Sequence, residues 1–86
     1  MHRKTSNVSF VELDLRDQDF SGAVFENCDF QFANLSNTIA VDATFISCKF
    51  LNAKFKNIRW VRPRFLNCPD IEDHIIIMEM DDPCFA

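Results

Sequence analysis

The side chains best equipped for chemistry in this chain of 86 residues are four cysteines, Cys28, Cys48, Cys68 and Cys84, two histidines, His2 and His74, and thirteen carboxylates. Thiolates with imidazoles hold zinc, and paired thiols form disulfides. Zinc sites, however, pair their cysteines about two to four residues apart. Here Cys28, Cys48 and Cys68 fall at intervals of twenty, with no histidine nearby. Such even spacing gives parallel rather than converging side chains, and it reads as one inward column of small fillers above Val8. Cys84 stands apart in the tail, as either a free thiol or a core contact. Catalysis has little to draw on. There is no tyrosine, and Gly22 is the only glycine, so no phosphate-cradling loop can be built. Ser9, Ser21, Ser36 and Ser47 have no convergent base beside them, and His74 between Asp73 and Ile75 has at most a tail carboxylate for a partner. The expectation is a protein without enzymatic activity, metal or cofactor.

The elements that position these residues follow a beat of five. Phe10, Leu15, Phe20, Phe25, Phe30, Leu35, Phe45, Phe50, Phe55, Trp60 and Phe65 are large and apolar, and only Ala40 interrupts the series. That period fits neither an amphipathic helix nor an alternating strand, so it marks a repeat architecture. Two residues before each large side chain stands a smaller one, as in Ala23, Cys28, Ala33, Ala43, Cys48 and Ala53, while polar residues fill most positions between. A longer repeat at twenty residues relates Phe25-Glu26-Asn27-Cys28, Phe45-Ile46-Ser47-Cys48 and Phe65-Leu66-Asn67-Cys68. A chain that turns a corner every five residues and closes a square coil every twenty satisfies both periods. Stacking such coils about 4.8 Å apart builds columns of like side chains. The columns are Phe10, Phe30 and Phe50; Leu15, Leu35 and Phe55; Phe20, Ala40 and Trp60; Phe25, Phe45 and Phe65. Ala40 leaves room in its column for Trp60, an exchange of volumes that close packing favours.

In these residues the chain resembles the pentapeptide-repeat family, whose consensus is a small residue, Asp or Asn, Leu or Phe, then two variable positions. Ala33-Asn34-Leu35-Ser36-Asn37 matches it outright, and Cys28-Asp29-Phe30, Ala43-Thr44-Phe45 and Ala53-Lys54-Phe55 are close. The resemblance covers roughly residues 8 to 67. It implies an all-β solenoid, a right-handed quadrilateral parallel β-helix of about three coils with a C-terminal cap. Residues 1–7 would then be a lead-in, 8–68 the β-helix and 69–86 the cap or tail. In that tail Asp70 falls where the next large inward residue is due, and a carboxylate there is incompatible with another buried step. Ile71, Ile75 and Met78 have helical spacing behind Pro69, yet Ile75-Ile76-Ile77 is equally strand-like. Either form would cover the last coil or serve a homodimer contact.

Charge is sorted along the coils. Glu12, Asp14, Asp17, Asp19, Glu26 and Asp29 crowd the beginning against Arg16; Lys49, Lys54, Lys56, Arg59, Arg62 and Arg64 follow without an acidic residue among them; the tail turns acidic again. Regularly spaced carboxylates can imitate duplex DNA, which carries about one charge per 1.7 Å. The family resemblance points the same way, since several members inhibit topoisomerases as DNA mimics, and very small acidic phage proteins, anti-CRISPR proteins included, use the same device. Three coils span only about 15 Å. That suits an inhibitor blocking one local DNA-binding groove, such as that of a CRISPR surveillance complex, better than a topoisomerase protector. The partner would be a DNA-binding protein or complex engaged through Glu12, Asp14, Asp17, Asp19, Glu26 and Asp29. A competing account makes Asp14, Asp19 and Asp29 a structural preference of the repeat.

A generic interaction or scaffold module is the alternative. Outward apolar residues include Val11, Phe32, Ile39 and Leu51, and stacking sets Val41 beside Val61 and Ile46 beside Leu66 as a strip around one corner, covered by the tail, a second subunit or a target. Direct nucleic-acid binding is disfavoured, because the chain is acidic, at a net charge of −4, and Phe55, Trp60 and Phe65 belong to inward columns. Neither a signal peptide nor an apolar membrane span is visible, which leads to the expectation of a soluble cytoplasmic protein, in a host cytoplasm if phage-encoded.

Overall fold

The computed structural model describes residues 3–74, 80–81 and 84–85. Its elements in chain order are strands β1 (Arg3–Ser6), β2 (Ala23–Glu26), β3 (Ile39–Val41), β4 (Thr44–Ile46), β5 (Arg59–Val61) and β6 (Arg64–Leu66), a 3-10 helix (Pro69–His74), and strands β7 (Met80–Asp81) and β8 (Cys84–Phe85). Every pairing is parallel and offset by twenty residues: β1, β2, β4, β6 and β8 make one sheet and β3, β5 and β7 another. Two further sides are joined by single parallel bridges, Ser9 to Asp29 to Lys49 and Asp14 to Asn34 to Lys54. The result is a four-sided β-solenoid of about three coils. We number its sides from Val8: the first holds 8–12, 28–32 and 48–52, the second 13–17, 33–37 and 53–57, the third 18–22, 38–42 and 58–62, and the fourth 3–7, 23–27, 43–47 and 63–67.

Each corner is set by the residue two places after the large one. Asn7, Glu12, Asp17, Asn27, Phe32, Asn37, Asp42, Ser47, Asn52, Asn57, Arg62 and Asn67 all have φ between 50° and 65°, and Gly22 has φ 73°. At several corners the turn is closed by a backbone bond, as from Leu13 N to Phe10 O (3.2 Å) and from Ala33 N to Phe30 O (3.1 Å). A tight turn with positive φ at its third residue favours Gly and Asn, which is why asparagine recurs there and why the one glycine sits there.

The columns form as their spacing predicts. Phe10, Phe30 and Phe50 stack at 4.9 and 5.1 Å, and Phe25, Phe45 and Phe65 at 5.3 Å each. Phenylalanine rings of the first and fourth sides meet edge to face, as in Phe25 with Phe30 at 5.4 Å, so both favourable aromatic geometries are used at once. Trp60 pairs in register with Ala40 and lays its indole against Phe45 at 5.1 Å. Its Nε1 donates to Thr38 Oγ1 (2.9 Å), and that hydroxyl donates to Leu35 O (2.7 Å), so the one buried polar side chain among the described residues is fully used.

The ends differ from the sequence reading. Residues 1–7 were expected to precede the solenoid, but Arg3–Ser6 pair with Ala23–Glu26, and Thr5 is the register partner of Phe25. A threonine keeps the position without the apolar signal, at low cost on a coil where Phe10, Leu15 and Phe20 are themselves only half-buried. The tail does not simply leave the repeat after Cys68. Trp60 is paired with Met80 and Phe65 with Phe85, again twenty apart. Between them Asp70 does interrupt the core, and it has a use. The amides of Phe10 and Phe30 donate to backbone carbonyls of the next coil (2.7 and 2.8 Å), whereas Phe50 N donates to Asp70 Oδ2 (3.4 Å). The carboxylate thus terminates that ladder, and Ile71 beside it is fully buried. Ile75 and Met78, the remainder of the expected helical face, lie outside the described residues, as does the side chain of Cys84.

Candidate functional site

The outward residue just before each large one faces away from the core, but its side chain bends onto its own backbone. Asp19 Oδ1 accepts from Ser21 N (2.9 Å), Asp29 Oδ1 from Gln31 N (3.0 Å), Asp14 Oδ1 from Arg16 N (3.2 Å) and Asn34 Oδ1 from Ser36 N (3.1 Å). These short loops satisfy an amide at the turn, as Asp and Asn do elsewhere. Asp14, Asp19 and Asp29 thus serve their own turns, as the structural account of them requires.

The acidic residues ring the first two coils. Glu12 lies at the corner of the first and second sides, Asp14 on the second, Asp17 at the corner of the second and third, Asp19 on the third, Glu26 on the fourth and Asp29 on the first. They do not gather on one face. Asp14 is also clasped by Arg16, whose Nε and Nη2 donate at 2.8 and 2.7 Å; this guanidinium holds the Asp14 carboxyl at about 2. Glu26 lies 3.8 Å from Lys4. Arg62 in the third coil donates to Asp42 in the second at 2.7 and 3.2 Å, drawing that carboxyl below its ordinary range. Asp42 was absent from the sequence candidates, although its place in the corner column was readable.

The third coil is basic on every side: Lys49 on the first, Lys54 and Lys56 on the second, Arg59 on the third, Arg62 at the next corner, and Arg64 following on the fourth. Arg16, Asn34, Ser36, Lys54 and Lys56 line an open groove of about 760 Å³ along the second side.

The cysteines are core. Cys28, Cys48 and Cys68 are buried and free of disulfides, and their Sγ atoms donate to Thr5 O (3.4 Å), Phe25 O (3.4 Å) and Phe45 O (3.3 Å) respectively. The sulfur of Cys68 next in the column, together with burial, pushes the Cys48 thiol well above its ordinary range.

Among apolar residues, Val41 with Val61 and Ile46 with Leu66 are register neighbours, all half-buried. They belong to two different sheets, and the Asp42–Arg62 pair occupies the corner between them. Greater exposure occurs elsewhere. Among the described residues, Val8, Val11, Leu13, Phe32 and Leu51 are the most exposed apart from Ile39 on the third side, and all five lie on the first side or where it meets the second. Phe32 is 52% exposed with φ 60°, a backbone region in which a bulky aromatic residue is an outlier.

Four flat sides of five residues, two inward side chains on each and a left-handed residue at every corner define a quadrilateral parallel β-helix. The family model described as pentapeptide repeats (8 copies) matches residues 9–45 and again 23–59, together more than half of the chain. The chain belongs to the pentapeptide-repeat family. Proteins of this family are generally non-catalytic protein-interaction modules. Among curated proteins no sequence matches. No helix among the described residues is long and apolar enough to cross a membrane.

Proposed function

We propose that this chain is an inhibitor that binds a nucleic-acid-binding protein or complex in the cytoplasm, presenting carboxylates where the target's surface receives phosphates. The observation that carries this reading is the fixing of Asp14, Asp19 and Asp29 by hydrogen bonds to their own turns. A preformed array loses little conformational freedom on binding, and that preorganisation is what a mimic of a stiff polyanion needs. Glu12 and Asp17 extend the array at the adjoining corners. The described residues extend only 27 × 26 × 24 Å, so a compact inhibitor filling one local groove, such as that of a CRISPR surveillance complex, suits the protein better than a mimic of a long topoisomerase-bound segment. The basic third coil confines the contact to the first two coils and fixes which end meets the target.

Asp14, Asp17, Asp19 and Asp29 can be changed together to Asn, which keeps the turn acceptor, as Asn34 already shows, and suits the corner, as Asn37 and Asn57 do. The immobilised wild-type chain should retain a DNA-binding protein from a bacterial lysate and release it to added duplex DNA, and the neutralised chain should retain none. Capture that ignores DNA, or survives neutralisation, refutes mimicry and leaves the apolar surface as the binding element.

A further inference from the structure

We propose that the corner bearing Phe32 is the twofold contact of an antiparallel homodimer of this chain. The column at that corner reads Glu12, Phe32, Asn52 from the first coil to the third, at a position where turn geometry favours Asn or Gly. Among the described residues no other aromatic ring packs on Phe32. The side chain is therefore held more than half exposed, in a backbone conformation disfavoured for its type. Such a residue is retained where something outside the fold covers it.

The surroundings specify a second copy as the cover. Beneath Phe32 the first coil presents Leu13 and Glu12, and above it the third coil presents Leu51, Lys49 and Lys54. These two coils stand about 10 Å apart, two strand spacings. A twofold axis through the Phe32 corner sets the first coil of one copy level with the third coil of the other. Phe32 then meets its own equivalent, Val11 comes level with Leu51 on the first-side flank, and Glu12 comes level with the cationic groove of Lys54 and Lys56, each relation occurring twice because the contact is isologous. Parallel copies would instead set Lys54 level with Lys54 and Glu12 with Glu12, so charge selects the antiparallel arrangement. This contact leaves Asp17 and Asp19 outside it. It draws on Glu12, which also extends the acidic array, but it is tested on the purified chain alone, without DNA or target, so its outcome is read separately from that of the mimic.

Sedimentation equilibrium of the full chain should show a dimer that dissociates as salt rises. Phe32→Asn should lower the dimerisation constant at least tenfold while raising the unfolding midpoint of the monomer, because Asn accepts the left-handed corner; that rise distinguishes a lost contact from a damaged fold. Glu12→Lys and Lys54→Glu should each weaken association about fivefold, as two rim ion pairs permit. The double variant should recover it, because the exchanged charges face each other again only between antiparallel copies. A chain that stays monomeric up to its solubility limit overturns the proposal. So does a Phe32→Asn chain that dimerises like wild type, or a double variant weaker than either single one.

Discussion

Replacing Thr38 with Val tests whether one buried hydroxyl organises the centre of the solenoid. Thr38 is fully buried, receives the Trp60 indole N–H at 2.9 Å and donates to Leu35 O at 2.7 Å. Valine has nearly the same shape, so packing is kept while both hydrogen bonds go. Each group left buried without a partner costs about 1–3 kcal/mol, and exchanging a hydroxyl for a methyl returns part of that. The net loss should be about 2–4 kcal/mol. In a domain of this size it would lower the melting temperature by roughly 10–20 °C. Urea unfolding followed by tryptophan fluorescence and circular dichroism measures the change. Thr38→Ser keeps the hydroxyl and loses one methyl, so it should cost only about 1 kcal/mol. On a Trp60→Phe background, where the indole donor is already gone, Thr38→Val should cost roughly half as much. A Thr38→Val loss below about 0.5 kcal/mol, or an equal loss with and without the indole, would show that the hydroxyl is not shared in this way.

Two further outcomes follow from the titrating groups. The Asp14 carboxyl should titrate near 2 in a carboxyl-carbon NMR experiment, and Arg16→Gln should move it toward the ordinary aspartate value of 3.8; because the folded value is the lower one, whatever this clasp adds to stability is present above about 4 and lost as the pH falls through 2. A midpoint unmoved by Arg16→Gln would assign the shift elsewhere. Cys48, buried and with its thiol pushed up, should resist iodoacetamide in the native state and be labelled at the rate of global unfolding, with the urea dependence of that process; rapid native labelling would mean that the column opens locally.

The core was legible because its signal is compositional and repeats at fixed offsets. Columns such as Phe10, Phe30 and Phe50 could be written down from the spacing alone, and the rings stack as written. Positions whose identity is set by backbone rather than burial were harder to read. Thr5 shares a register with Phe25 but lacks an apolar side chain, so the first strand was placed outside the solenoid. Asp70 breaks the apolar beat by ending a hydrogen-bond ladder, and pairing twenty residues apart resumes at Met80. The acidic residues were visible as a cluster in sequence, yet a solenoid distributes consecutive residues around four sides. Adjacency along the chain therefore makes a band of charge around the coils, as the sorting by coil implies, and not a single face.

The corner column supplies what neither apolar spacing nor net charge could. At thirteen successive corners the backbone has positive φ, and ten are occupied by Asn, Asp, Ser or Gly. The exceptions are Glu12, Phe32 and Arg62. Arg62 is compensated by its bonds to Asp42. The other two lie one above the other on a single corner, flanked by Leu13 and Leu51, and Phe32 is the more costly of the pair because its ring is both strained and exposed. Strain in a repeat protein is informative because the neighbouring repeats show what an unstrained choice looks like. Asn52 directly above Phe32 occupies the equivalent position with an ordinary residue, so the geometry did not require an aromatic ring at that level. The departure from the repeat's own rule at two stacked positions, on the side where its exposed apolar residues collect, is what places the proposed dimer contact at that corner.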